Sequence, residues 1–228
     1  MSTMNHFPLL VFDWDGTLVD SIERIVTSLQ FASKQAADID LAEKQARDVI
    51  GLGLFEAISM LHPELDAVQH ADRLNKIADA YRQHYLYENT VPAPLFKGVN
   101  ELLSELRNDG YILAISTGKS RAGLDQSINE HQLSDFFATT RCASESRSKP
   151  HPEMLHEILD ELDFTASQTV MIGDSEHDLI MANNANMQSI AVTHGVHDAE
   201  TLKRHKPLTC LADITDLYSY LSHNHATA

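Results

Sequence analysis

The chain has 228 residues, 43% of them hydrophobic and 22% charged, which argues against extended disorder and leaves room for one α/β core plus a small accessory domain. Its formal net charge of −16, with no local basic patch to offset it, speaks against nucleic acid as a partner. No apolar run approaches the roughly 20 residues needed to cross a bilayer. Residues 1–8 lack the basic and apolar regions of a secretory leader, and Cys142 and Cys210 form no paired framework, so the expected location is the cytoplasm.

Phe7-Pro8-Leu9-Leu10-Val11-Phe12 is a short apolar run ending at acidic and glycine residues, which predicts a buried strand. From Asp20 to about Asn89 the pattern is helical and supplies no strand. Asp20 and Ser21 are N-cap residue types with Glu23 placed to reach back, and Ile22, Val26, Leu29 and Ala32 follow at helical spacing. Ala71 to Tyr87 is a second long helical run, and Pro92-Ala93-Pro94 closes the stretch. A regular alternation follows: helix Gly98–Asp109, strand Tyr111–Ile115, helix Arg121–His131, strand Ala138–Arg141, helix Pro152–Leu162, strand Thr169–Ile172, helix Asp178–Asn184 and strand Ser189–Val192. Such alternation implies right-handed crossovers and a mostly parallel, Rossmann-like sheet flanked by helices. The tail from Ser219 reads as frayed. The expected division is an α/β core domain of residues 1–18 and 93–228 and an inserted α-helical domain of residues 19–92.

Four segments carry chemistry, each read as lying at the C-terminal end of a predicted strand, the edge where open α/β sheets bind ligands. In Asp13-Trp14-Asp15-Gly16-Thr17 the two aspartates are two apart on extended chain and share one side, while Trp14 turns to the core. In Ser116-Thr117-Gly118-Lys119 a hydroxyl and backbone N–H groups beside a helix start suit a phosphate-sized anion. Gly118-Lys119-Ser120 has the tail of a Walker A loop, but that motif needs a glycine where Leu113 stands. In Ser148-Lys149-Pro150-His151-Pro152 prolines restrain the base of Lys149. In Gly173-Asp174-Ser175-Glu176-His177-Asp178 two carboxylates four residues apart can converge on a cation. Ionised carboxylates about 5 Å apart repel by roughly 3 kcal/mol per pair at an effective dielectric near 20, so such a group calls for a counter-ion.

These segments, in this order, resemble the haloacid-dehalogenase-like superfamily over residues 9–212, and the helical insertion resembles its first cap subclass. Lys149-Pro150-His151-Pro152 is similar to the KPxP pattern of the phosphoglycolate-phosphatase-like branch, whereas Gly118 stands where relatives of that branch often carry Asn. The resemblance implies a phosphatase acting on a small phosphorylated metabolite, with Asp13 as nucleophile and Asp15 as general acid/base. It implies Mg²⁺ held by the Asp13 and Asp174 side chains and the Asp15 backbone carbonyl, with Asp178 orienting a metal-bound water or binding directly. Thr117, the Gly118 N–H and Lys149 would hold the phosphoryl oxygens. Ile50-Gly51-Leu52-Gly53 would be the cap loop that meets the substrate, with hinges near residues 19–21 and 92–97. An acid at position 15 is expected of phosphatases and phosphomutases and not of dehalogenases.

Two rival readings share the motifs: a sugar phosphomutase, and a non-catalytic binding protein that kept the fold. A phosphonate-cleaving hydrolase would need a cap lysine, for which Lys34 and Lys44 are the early candidates. Arg24, Arg47, Lys119 and Arg121 are cations for a second polar group of the substrate, each weighed against a solvated surface charge. Among thirteen histidines, the pairs His194/His197 and His223/His225 lack the number and spacing of a closed zinc site, and His177 is a candidate for contact near the metal region. The sequence does not indicate an oligomeric state.

Overall fold

The computed structural model describes residues 7–66 and 68–224. Strand β1 (Leu9–Phe12) is followed by helices α1 (Ile22–Ala37), α2 (Glu43–Asp48), α3 (Leu54–Leu61) and α4 (Ala71–Gln83), then by α5 (Val99–Asn108). The chain continues through β2 (Ile112–Thr117), α6 (Arg121–Glu130), β3 (Thr139–Cys142), α7 (Glu153–Leu162) and β4 (Thr169–Gly173). It ends with α8 (Glu176–Asn184), β5 (Gln188–Val192), α9 (Ala199–Lys203), β6 (Cys210–Leu211) and α10 (Asp216–Asn224).

The six strands form one sheet in the order β3-β2-β1-β4-β5-β6, every neighbouring pair parallel. The alternation of side chains along β1 sorts its residues between two cores. Leu10 and Phe12 join Leu113, Ile115, Val170 and Ile172 beneath α5, α6 and α10, while Leu9 and Val11 join Ala114 and Met171 beneath α7 and α8. Each fully buried side chain of this size stabilises the fold by about 1.5–3 kcal/mol. Phe12 lies opposite both Ile115 and Ile172, so the chain leaving β1 emerges between the ends of β2 and β4. There the strand order reverses, which opens the crevice where α/β sheets take ligands.

Among the described residues between β1 and α5 the named elements are all helical, joined by loops, with Asp15–Val19 and Val19–Leu95 as isolated β-bridges at the root. Ile22, Ile25, Val26, Leu29 and Ala32 give α1 one continuous buried face, and it packs on Leu74, Ile77 and Ala78 of α4 with Ile58 of α3 between them. Helix α4 loosens at its end into a π-helical turn, His84–Glu88, that points Tyr85 back toward the sheet. At the root of the insertion the outgoing and returning chains run side by side: Asp20 N–H donates to the Pro94 carbonyl (2.8 Å) and Phe96 N–H to the Leu18 carbonyl (3.0 Å).

Several expectations need correction. Ser21 holds the N-cap position of α1 but makes no side-chain capping bond; its hydroxyl is used elsewhere. Strand β6 has only two residues, too short to show a period in sequence, and α8 begins two residues before the expected Asp178. Residues 219–224 are not frayed but belong to α10, which Leu217 and Leu221 anchor in the core. Lys149 does not sit at a strand end: it lies seven residues past β3, in the turn before α7. Residues 1–6 of the leader reading and 225–228 of the tail lie outside the described residues. No helix among the described residues is long and apolar enough to cross a membrane.

Candidate active site

Asp13 leaves β1 with its N–H still bonded to the Ile172 carbonyl of β4 (2.9 Å), which fixes its carboxylate at the reversal point of the sheet. Asp174 stands just beyond the end of β4, and Asp178 one turn into α8. Oxygens of these three carboxylates lie within 4.8 Å of one another, and all three side chains are buried. Lys149 closes the group: its Nζ donates to Asp13 Oδ1 (2.6 Å) and to Asp178 Oδ1 (2.6 Å). Asp174 takes Thr17 Oγ1–H (2.7 Å) on one oxygen and the Val196 N–H (2.8 Å) on the other. Asp178 Oδ2 is engaged by the Ser175 N–H and hydroxyl.

This arrangement is short of positive charge. Burial, then the neighbouring Asp178, raises the Asp13 carboxyl well above the ordinary range despite Lys149, and the same two causes push Asp174 up to about 7. Burial opposes the charge on Lys149, but Asp13 and Asp178 outweigh it and hold the ammonium charged. Asp13 Oδ2 is buried with no hydrogen-bond partner. An all-oxygen donor set, a surplus of buried negative charge and an open carboxylate oxygen fit a hard divalent cation.

Asp15 takes no part in that cluster by its side chain. Its Oδ1 accepts from Ser21 Oγ (2.6 Å) and from Lys119 Nζ (2.9 Å). Lys119 also donates to the Tyr85 hydroxyl (2.8 Å), and its Nζ sits 4.5 Å from the Tyr85 ring centroid. The surface reading of Lys119 is therefore overturned: its side chain is 7% exposed and links core to insertion. Arg24, Arg47 and Arg121 do not reach the site. Arg24 braces the Tyr85 carbonyl, Arg47 pairs with Glu43, and Arg121 pairs with Glu145 and Asp125. Lys34 and Lys44 are likewise surface lysines paired with nearby aspartates.

Thr117 ends β2 facing the same crevice, its Oγ1 accepting from the Lys119 N–H (3.2 Å), while Ser120 caps α6. The loop Ile50-Gly51-Leu52-Gly53 lies over these segments and touches three of them. Gly51, at φ +98°, backs onto Ser175 and His177; Gly53 N–H donates to Ser148 Oγ (2.6 Å); the Gly51 and Leu52 carbonyls press on Gly118, where a Cβ would overlap both. That close approach gives a physical reason for glycine at this position. His177 lies beside this loop, its ring against Gly51 and its Nε2 3.5 Å from the Asp48 carbonyl. Trp14 is fully buried in the core beneath, its Nε1–H bonded to Ser127 Oγ (3.0 Å). His194 approaches the Thr17 carbonyl and His197 accepts from the Glu176 N–H, so they brace separate loops. Between loop and sheet edge is a cavity of about 230 Å³ containing Asp13, Asp15, Thr117, Gly118 and Lys119.

Sequence reasoning missed Ser21, Tyr85 and the bridging role of Lys119. Ser21 carried a signal that was read as a helix cap. Tyr85 carried none, because its partner is 34 residues away in the chain.

The family described as "Haloacid dehalogenase-like hydrolase" matches residues 10–192 of the chain. The chain is 35% identical over 204 residues to the "Probable phosphatase IndB" of Dickeya dadantii (strain 3937), covering 88% of this chain and 87% of that protein. It is 28% identical over 214 residues to the phosphoglycolate phosphatase of Vibrio cholerae serotype O1, covering 90% and 92%. In fold it is similar to the crystal structure of a "predicted phosphoglycolate phosphatase" from Haemophilus somnus 129PT, at TM-score 0.84 and 23% identity, covering 95% of this chain and 99% of the other. With the sheet order, the insertion and the carboxylate cluster, these place the chain in the haloacid dehalogenase-like hydrolase family.

Proposed function

We propose that this chain is a Mg²⁺-dependent phosphatase of small phosphorylated metabolites, working through a phosphoryl group held covalently on Asp13. The observation that carries this reading is the buried Asp13 carboxylate, tied by one oxygen to Lys149 and open at the other, with Asp15 in the same cavity. Asp13, Asp174 and Asp178, with the Asp15 backbone carbonyl, would hold the cation, which when bound supplies positive charge that offsets both the carboxylates and the substrate's phosphoryl oxygens.

The chain's own residues divide the reaction into two displacements. Asp13 forms a bond to phosphorus as the ester P–O bond breaks, and Asp15 gives a proton to the leaving oxygen. Water then attacks phosphorus, Asp15 takes its proton, and the bond to Asp13 breaks to release inorganic phosphate and free carboxylate. Lys149, Thr117 and the Gly118 N–H hold the phosphoryl oxygens, where positioning and charge stabilisation dominate phosphoryl transfer. Ser21 and Lys119 hold one oxygen of Asp15 and leave the other to carry the proton. Residues 19–92 serve as a cap over the core of residues 1–18 and 93–228, closing the cavity through the 50–53 loop and excluding competing water.

The test is phosphate release from a panel of phosphorylated metabolites with Mg²⁺, comparing wild type with Asp13→Asn and with EDTA-treated enzyme. Turnover is expected to vanish in both controls. Full activity in Asp13→Asn would sink the mechanism, and interconversion of a sugar phosphate without phosphate release would make the chain a mutase.

A further inference from the structure

Resting on the phosphatase reading, we propose that the alcohol released by this enzyme is a small, neutral, predominantly apolar one, and not a hydroxy acid or a second phosphate. The cavity has a polar floor and an apolar wall. Its floor is formed by the residues that face phosphorus; its wall is formed by the insertion, chiefly Ile25, Leu29, Val49, Ile50, Leu54 and Leu86. Tyr81 and Tyr85 continue that wall, their rings stacked at 5.5 Å between centroids. A leaving group bonded to phosphorus at the floor must point into this wall.

Among the described residues lining the cavity, the cations are Lys119 and Arg82, and neither is free. Lys119 is bound to Asp15 and to the Tyr85 hydroxyl. Arg82 is half exposed and paired with Asp79 (2.7 Å). The remaining ionic group of the wall is a carboxylate, Glu56, next to Gly53. A substrate with a carboxylate or a second phosphate beside its ester would set that anion against hydrocarbon and Glu56, with no partner to replace its lost water. A neutral alkyl or aryl group instead removes its own apolar surface and that of the wall from water. At about 230 Å³ the cavity is below the usual range for drug-sized ligands, roughly 300–1,000 Å³, so the alcohol is small.

The experiment compares kcat/KM for propyl phosphate and 2-phosphoglycolate, esters of similar size, with p-nitrophenyl phosphate as a general reporter of phosphatase activity. Propyl phosphate is expected to be favoured by about tenfold or more, the scale on which hydrophobic pockets discriminate. Phe55→Lys places a cation on the partly exposed rim, and it is expected to narrow that ratio by raising turnover of 2-phosphoglycolate. Equal or better turnover of 2-phosphoglycolate by the wild type, or a ratio unmoved by Phe55→Lys, overturns the assignment while leaving the phosphatase reading intact. Absence of phosphate release from all three esters overturns both.

Discussion

At the scale of single residues, the site is a problem of charge. Asp13, Asp174 and Asp178 are buried together with one ammonium, that of Lys149, in direct contact. In an unfolded chain the Asp13 and Asp174 carboxyls titrate at roughly 3.9. Burial and Asp178 push Asp174 up to about 7, and Asp13 is also raised. Between about pH 4 and pH 7 the folded chain therefore binds more protons than the unfolded one. Stability without metal is greatest at the acid end of that window and is lost as pH rises through it. In EDTA this contribution is expected to lower Tm between pH 5 and pH 7.5, and Mg²⁺ to raise Tm more at pH 7.5 than at pH 5. Asp174→Asn should flatten both differences in thermal unfolding; an unchanged profile would mean that the cluster does not carry this charge. Ser21 shows the limit of reading such residues from sequence. Its type and place signal a helix cap, yet its hydroxyl is spent on Asp15, a partner that only the folded turn of residues 13–21 brings near.

At the scale of elements, β1, β2 and β4 were legible because each is a run of apolar side chains long enough to bury both faces. The paired residues Cys210 and Leu211 of β6 gave no such signal, and the turn that carries Lys149 has no strand of its own. The four motif segments were legible as sequence, since Asp13, Asp15, Asp174 and Asp178 stand in compact local patterns. That the 50–53 loop meets them was implied by the resemblance and not by its own residues, because its contacts run through backbone groups, the Gly51 and Leu52 carbonyls and the Gly53 N–H, that any residue could supply. Gly118→Ala tests that contact. A Cβ there meets the Gly51 and Leu52 oxygens, so the loop must lift. Hydrogen exchange is expected to speed up at residues 50–53, with a loss of kcat/KM on the order of tenfold, the cost typical of a small misplacement at a site. Unchanged exchange and activity would show that the loop does not need the closed position.

At the scale of the whole molecule, the described residues bury apolar side chains both around the sheet and within the insertion, and it is the insertion's that line the cavity. One set surrounds the sheet, through Leu10, Phe12 and Leu103; the other lies within the insertion, through Leu29, Ile58, Leu74 and Ile77. If the insertion is a unit in its own right, a cavity made inside it should loosen it alone. Leu74→Ala is expected to cost the insertion about 2–5 kcal/mol. Exchange should accelerate in α1 and α4 while β1, β2 and β4 keep their protection. Equal loss of protection across the sheet would mean that the two sets unfold together and that residues 19–92 are not a separate domain.

The root of the insertion has a broader consequence. Its two chain crossings, joined by the bonds from Asp20 to Pro94 and from Phe96 to Leu18, lie next to each other just beyond β1, the strand that leads into Asp13. A segment that departs and returns through one narrow doorway can be lengthened, shortened or exchanged without re-threading the sheet. On the proposed reading, the carboxylate cluster of the core and the apolar wall of the insertion are thus encoded in separable stretches of one gene. New substrates can be explored on one side of that doorway while the chemistry on the other side stays still.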